Sequence, residues 1–149
     1  MTRWHIPEEL SAREQKVAQR VRKHSRFFLF LREIRAELFD EAFQGELFEA
    51  YGPRGQEPVA PALLAMVMLL QAYTRSSDAE AVDAAEMDLR WQLVLGTLSE
   101  SKAPFGQGSL VRFRSRMVEH DFDQRLIDRT IELAKKTGKF SWQSLTRQS

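Results

Sequence analysis

The segment from Phe105 to Met117, FGQGSLVRFRSRM, combines a glycine-rich loop with a helix-forming stretch that carries three arginines. We expect Ser109 to be the N-cap of this helix, because a serine hydroxyl at that position accepts a hydrogen bond from an amide of the first turn. The amides at a helix N-terminus, with cationic side chains one turn further on, offer a favourable site for a phosphate oxygen. The segment therefore indicates a helix that contacts the phosphates of DNA.

The arginines fall on different sides of this predicted helix. At about 100° per residue, one broad apolar arc is expected to face the core. The members of this arc are Leu110, Val111, Phe113, Met117 and Val118. Arg112 and Arg116 lie opposite and one turn apart, so we expect them to contact phosphates or guanine edges of duplex DNA, with Gln107 and Ser109 contacting the backbone from the loop. The alternative is that Arg112 and Arg116 lie on a plain solvated face.

Arg114 has a different environment, because the same projection places it inside the apolar arc. A guanidinium there needs partners that offset the loss of water. We therefore expect Arg114 to form a structural ion pair. The expected partners are the carboxylates of the preceding acidic stretch, namely Glu80, Asp83, Glu86 and Asp88.

The net charge of +1 hides a strong separation of sign along the chain. Lysine and arginine outnumber aspartate and glutamate by 7 to 3 in residues 1–26 and by 10 to 5 in residues 101–149. The acids lead by 7 to 3 in residues 27–60 and by 6 to 2 in residues 61–100. Such a distribution draws a polyanion to the two ends of the chain. The alternative is that the oppositely charged faces pair with each other across the fold.

The chain is predicted to be all-α, because no window alternates apolar and polar residues for long and β-branched residues are sparse. Residues 1–138 are expected to form one compact multi-helix domain. A polar helix over 8–23 has only a thin apolar stripe, so residues 1–26 are expected to be loosely packed. Residues 27–51 carry apolar side chains at helical spacing and predict a core-forming region that Gly45 interrupts or bends.

The middle of the chain contains clear helix boundaries. Pro61 fits the first turn of a helix, and the apolar sequence 62–73 predicts the buried centre of the fold. Ser77-Asp-Ala-Glu80 is a capping-box pattern that starts a helix over 78–95. Gly96 is expected to end that helix.

The C-terminal part completes an expanded helix-turn-helix-like element. The supporting helix is 78–95 and the arginine helix is 109–119, and their connection is longer than the usual three or four residues. Asp121 to Gln124 resembles a second capping box, which starts a last helix that ends at Gly138. Residues 139–149 are expected to be a flexible tail.

Several classes of site are excluded by what the sequence lacks. The longest apolar run, residues 60–70, is too short to cross a bilayer, and the N-terminus has no signal-peptide pattern, so we expect a bacterial cytoplasmic protein without a membrane partner. The absence of cysteine removes disulfides and thiolate ligands. The three histidines lack the spacing of a helical zinc site, and Gly106-Gln-Gly108 lacks the ending of a phosphate-binding loop. We expect no catalytic site, metal, cofactor or small-molecule substrate.

The order of several motifs resembles the N-terminal domain of InsH-type bacterial insertion-sequence transposases, which belong to the DDE group. The similarity covers about residues 28–138. The motifs that carry it are Tyr51-Gly-Pro-Arg-Gly55, Pro61-Ala-Leu-Leu64, Ser77-Asp-Ala-Glu80, Asp88-Leu-Arg-Trp-Gln-Leu-Val-Leu-Gly96 and Gly108-Ser-Leu-Val-Arg-Phe-Arg-Ser-Arg116. Ile6-Pro7 also matches the start of the family, but Glu8-Glu-Leu10 replaces the histidine and arginine that often follow.

The resemblance implies that this helical domain helps to recognise double-stranded DNA at the terminal inverted repeats of a mobile element. Catalysis in the family belongs to a following RNase H-like domain with three metal-binding carboxylates. No acidic residue follows Glu132, so we expect a chain that stops before that domain and is not an enzyme on its own. A truncated transposase, a natural remnant and an excised domain are the alternatives. The alternative is a helical module that forms homo-oligomers or joins full-length transposase, and inhibits it without binding DNA. The thin N-terminal helix and the acidic middle favour that alternative.

Overall fold

The computed structural model describes residues 3–51 and 59–138, and these residues form eight α-helices and no strand. The helices are α1 Ala12–His24, α2 Arg26–Leu38, α3 Glu41–Tyr51, α4 Pro61–Thr74, α5 Asp78–Met87, α6 Leu89–Leu95, α7 Gln107–Glu119 and α8 Phe122–Thr137. The predicted all-α class is confirmed. The predicted flexible tail, residues 139–149, lies outside the described residues.

The helix α4 is the buried centre of the fold, as its apolar sequence predicts. Pro61 occupies its first turn, where the missing amide loses no hydrogen bond. The helix packs against α3, α5, α6 and α7. Leu64, Ala65 and Met66 are fully buried. A helix that is apolar nearly all round is stable only when neighbours cover every side, and α4 has such neighbours.

The helix α2 joins the N-terminal part of the chain to this centre. It packs against α1, α6 and α8. Its aromatic side chains extend the core, and the ring of Phe27 stacks on that of Tyr73 of α4 with centroids 3.9 Å apart. Trp91 of α6 is also buried. Most aromatic residues of the acidic middle region are therefore core residues, while Phe48 is half-buried.

Three predicted helix boundaries are confirmed. Ser77 and Glu80 form the capping box at the start of α5, with reciprocal bonds of 3.1 and 2.9 Å. Gly96 follows α6 with φ 76° and Gly138 follows α8 with φ 65°. Both glycines adopt the left-handed conformation that ends helices and that other residues adopt only with strain.

The N-terminal helix begins later than its polar sequence suggested, at Ala12 and not near residue 8. Ser11 and Glu14 form a second capping box there, and the sequence Ser11-Ala-Arg-Glu14 has the pattern for it. The segment that was expected to be loosely packed contributes Val17 and Val21 to the core. Its thin apolar stripe lies against α2 and α6.

Two buried arginines of α2 hold the segment that leads into α1. Arg35 donates from Nη1 to the carbonyl of Val94 at 2.8 Å and from Nη2 to that of Pro7 at 2.9 Å. Arg32 donates from Nη1 to the carbonyl of Glu8 at 3.3 Å and from Nη2 to that of Glu9 at 3.1 Å. Burial, followed by the nearby charge of Arg32, lowers the pKa of Arg35 to about 10, so Arg35 remains charged at neutral pH.

The helical break within residues 27–51 was predicted at the wrong residue. Gly45 lies inside α3, and the break falls at Asp40, between α2 and α3. The Asp40 carboxylate accepts a 2.8 Å bond from the amide of Phe43 and so caps the first turn of α3. Arg129 of α8 donates to the last carbonyl of α2, Leu38, at 2.6 Å. The break is therefore stabilised by a local cap from Asp40 and by a second side chain, Arg129, that is distant in the sequence.

Two other predictions about helix ends are wrong. The predicted helix over 78–95 is divided at Asp88, which ends α5 and caps α6 by accepting a 2.9 Å bond from the amide of Arg90. The predicted capping box at the start of α8 is absent. Asp121 adopts a left-handed conformation with φ 58°, not the extended conformation typical of an N-cap, and makes no side-chain cap.

Candidate nucleic-acid interface

One side of α7 is firmly anchored in the core. Leu110, Phe113 and Met117 are buried at three- and four-residue spacing. The ring of Phe113 meets that of Tyr51 edge to face, with centroids 5.1 Å apart. The helix packs against α3, α4, α5 and α8, so its orientation is fixed by four neighbours. The opposite side therefore presents its residues to solvent in a defined geometry.

The N-terminus of α7 differs from the prediction. The helix begins at Gln107 with Gly106 as its N-cap, and no side chain caps it. Ser109 is therefore a helical residue of the first turn, and its prediction as the N-cap is wrong. The reason is that the glycine before Gln107 adopts the extended cap conformation without a side chain, so the helix starts earlier.

Arg112 and Gln107 are exposed near this helix end. Arg112 turns back towards the first turn, and its Nη2 donates to the Ser109 hydroxyl at 3.4 Å. A Cβ atom placed on Gly108 would lie 3.3 Å from Nη1 of the same arginine, which shows how closely the guanidinium approaches the backbone. The structure therefore brings Gln107, Ser109 and Arg112 together at the start of α7, where the first amides also lie.

Arg116 is less exposed than Arg112. Its side chain is 25 % exposed, and its Nη1 lies 4.0 Å from the carboxylate of Glu119 one turn further on. An ion pair at this distance on a helix surface contributes little to stability. Arg116 lies at the edge of the solvent-facing side of α7, one turn from Arg112.

Arg114 forms a bidentate ion pair with Asp78, the first residue of α5. Its Nη1 and Nη2 donate to the two carboxylate oxygens at 3.0 and 2.6 Å. Nη2 also donates to Oε1 of Gln71 at 2.7 Å, and the amide of Gln71 donates to Asp78 at 2.9 Å. These three side chains come from α4, α5 and α7. The guanidinium therefore joins the solvent-facing helix to the buried centre.

The partner of Arg114 is not one of the four carboxylates that were proposed from the sequence. Glu80 is engaged in the capping box of Ser77, and Asp88 binds Arg90 at 2.7 Å. Hydrogen bonding from Arg114 is the largest cause of the lowered pKa of Asp78. Asp78 is the first residue of the same helix as three of those carboxylates. Which carboxylate of the helix meets Arg114 depends on how α5 crosses α7, and the sequence does not contain that information.

Two valines that were predicted to lie in the core are exposed instead. Val111 and Val118 of α7 have 47 % and 56 % of their surface accessible. The buried side is centred between Phe113 and Met117, and both valines project more than a quarter turn away from that centre. The predicted apolar arc was therefore too broad.

The solvent-facing side of α7 consequently combines polar, cationic and small apolar side chains. Its exposed members are Gln107, Gly108, Val111, Arg112, Ser115, Val118 and Glu119. Arginine and glutamine can donate to phosphate oxygens or base edges, and valine can contact the methyl group of thymine. Sequence reasoning identified the arginines and the glutamine but placed the two valines in the core.

Within the described ranges, no group of three or more histidine, aspartate or glutamate side chains is arranged to hold a metal ion. No helix in the described part of the chain is both long and apolar enough to cross a membrane.

A comparison with protein-family models places residues 14–116 in the transposase domain family DUF772. The matched span runs from the first turn of α1 to Arg116 of α7, which is more than half of the chain. Searches of curated proteins and of solved structures give no match. The span includes the buried helix α4 and the Arg114–Asp78 ion pair. The chain therefore belongs to the DUF772 transposase domain family.

Proposed function

We propose that this domain binds duplex DNA through the solvent-facing side of α7 and recognises the terminal inverted repeats of a bacterial insertion sequence. The observation that supports the proposal best is the construction of α7, which is anchored by buried side chains on one side and carries Arg112, Gln107 and Ser109 together at its exposed start. Membership of a transposase family makes DNA the expected partner. The motif resemblance supports the finer assignment to the InsH type within the DDE group.

The size of α7 suits a DNA groove. Thirteen residues extend about 20 Å, and an α-helix fits the major groove of B-DNA. We assign phosphate contacts to Arg112, Gln107 and Ser109, and a phosphate or guanine contact to Arg116. We also assign to Val111, which the sequence did not suggest, an apolar contact with thymine methyl groups.

The supporting helix of this helix-turn-helix-like element is α5. It packs against α7 and binds it through the Arg114–Asp78 ion pair. The short helix α6 and a loop follow before α7 begins, so the element is expanded relative to the usual arrangement. Arg114 then serves to orient the DNA-contacting helix and does not itself contact DNA.

A mobility-shift experiment tests the proposal. Arg112→Glu combined with Arg116→Glu removes two cations and adds two anions beside the phosphates, so the affinity for duplex DNA should fall about a hundredfold or more. Lys135→Glu combined with Lys136→Glu makes the same change of charge on α8 and is the matched control. Circular dichroism checks that both variants remain helical. An unchanged shift for the α7 variant sinks the assignment.

A second function is favoured by the exposed apolar residues. Met87 is 82 % exposed, and Val111 and Val118 are also accessible, so these side chains offer contacts for another protein chain. The domain then acts as a dimerisation module or joins full-length transposase and inhibits it. Light scattering combined with a salt-dependent DNA titration separates the two functions, because a dimer that is indifferent to duplex DNA supports the second.

A further inference from the structure

The helix α1 carries a continuous row of cations. Arg13, Lys16, Arg20 and Lys23 follow one another at three- and four-residue spacing, so they share one face of the helix. All four are exposed. The row extends over eleven residues, whose ten steps span about 15 Å along a helix. We define these four residues as the α1 cationic row.

The α1 cationic row is not neutralised within the fold. Among the described residues, none of its four side chains takes part in an ion pair. The acid of α1, Glu14, is half-buried; it accepts from the amide of Ser11 and lies 3.7 Å from Arg32. Like charges at this spacing destabilise a helix. The four cations therefore repel one another, and a bound anion would reduce that repulsion.

We propose that the α1 cationic row is a second DNA-binding surface that contacts the phosphodiester backbone without reading the sequence. This inference rests on the proposed function, because it assigns a further contact to the same duplex. One strand of DNA carries a phosphate for every 3.4 Å or so of helix axis, so a row of this length spans several phosphates. A regular row of point charges matches a regular row of phosphates, and it increases the rate of association as well as the affinity.

The composition of this face favours DNA over a protein or a membrane. The apolar residues of α1, Val17, Ala18 and Val21, are buried against the fold. Protein interfaces have apolar centres that are depleted in lysine, and the row has no exposed apolar centre. A helix that binds a bilayer inserts its apolar face, and α1 has already buried that face. A row of phosphates is the partner that cations alone can bind, without an apolar contact.

A salt-dependent titration tests the inference on the intact chain. Lys16→Gln combined with Lys23→Gln removes two charges of the row, and Lys135→Gln combined with Lys136→Gln is the matched control on α8. Affinity for a fluorescently labelled random-sequence duplex is measured by anisotropy across a series of salt concentrations. The α1 variant should lower the slope of log K against log salt by about 2, since each phosphate contact contributes about 0.9. The control should leave the slope unchanged.

The remaining measurements separate the outcomes. Lys16→Arg with Lys23→Arg keeps the charges and should restore the wild-type slope. Equal slopes for the α1 variant, the control and the wild type overturn the inference, even when the Arg112 and Arg116 variant shows that α7 binds DNA. A wild-type chain that does not bind duplex DNA overturns the proposed function, and the inference fails with it. Stronger binding to anionic lipid vesicles than to the duplex also overturns the inference.

Discussion

The two basic helices α1 and α7 have the same length but use their cations differently. In α7, Arg114 binds Asp78 and Arg116 lies near Glu119, so part of the positive charge serves the fold. In α1, the exposed cations form no ion pair among the described residues. The segment before α1 is held by arginines of α2 instead. A basic sequence therefore does not by itself distinguish a cation that stabilises the fold from one that is available to a ligand; the partners do.

Replacement of Arg35 should produce the largest loss of stability. Arg35→Ala leaves the buried carbonyl of Val94 and the carbonyl of Pro7 without their donor, which should lower the free energy of unfolding by about 2 to 4 kcal/mol. Urea denaturation followed by circular dichroism measures the loss. Arg20→Ala, on the exposed face of α1, is the control and should change stability by less than about 0.5 kcal/mol. Similar losses for both variants would remove the distinction between structural and available arginines.

Disruption of the Arg114–Asp78 ion pair should have a smaller effect. The side chains are 37 % and 19 % exposed, so solvent screens the pair in part. Arg114→Ala should therefore lower the free energy of unfolding by about 1 to 2 kcal/mol, between the values for exposed and buried pairs. A double-mutant cycle with Asp78→Ala checks that the loss arises from this contact. Strictly additive losses would contradict a direct coupling of α5 and α7.

The pH dependence of stability should show the smallest effect. The lowered pKa of Asp78 means that its carboxylate binds a proton more weakly in the folded chain than in the unfolded chain. Its contribution is complete above the unfolded-state pKa of about 3.9 and is lost as the pH falls through the lower folded-state pKa. On acidification below about pH 4, the wild type should therefore lose stability more steeply than Asp78→Asn.

Denaturation curves at a series of acidic pH values measure this difference. Asp83→Asn changes an exposed carboxylate of the same helix and is the matched control. The wild type and the control should follow the same profile. If the profile of Asp78→Asn coincided with both of these, the ion pair would contribute nothing to the pH dependence of stability. The structural use of cations in α7 would then not differ from that in α1.

Much of the fold was predictable because it depends on local patterns. The apolar sequence of α4, the capping box at Ser77 and the glycines after α6 and α8 each act within a few residues. The breaks at Asp40 and Asp88 were missed. At Asp40 the last carbonyl of α2 is satisfied by Arg129, which lies far away in the sequence. Such a partner is brought there only by tertiary packing.

The candidate site was predictable in composition but not in contacts. The spacing of α7 predicted an ion pair for Arg114, yet its partner Asp78 depends on the crossing of α5 and α7, and the Arg114 side chain is more exposed than that of Arg116, at 37 % against 25 %. The exposure of Val111 depends on which neighbours cover the helix, and a helical projection does not contain that information. The α1 cationic row was visible as a spacing of charges. Its lack of ion-pair partners among the described residues becomes evident only when the surrounding helices are in place.

The hydrogen bonds of Arg35 have a consequence for insertions and deletions. One nitrogen of the guanidinium holds Val94, just before the loop that leads to α7, and the other holds Pro7, in the segment that leads to α1. The guanidinium is planar and rigid, so these two points of the chain keep a fixed separation. Val94 precedes the loop between α6 and α7, so residues added to or deleted from that loop leave the position of Val94 unchanged. Length variation in that loop should therefore shift the start of α7 while α1 stays in register with the core.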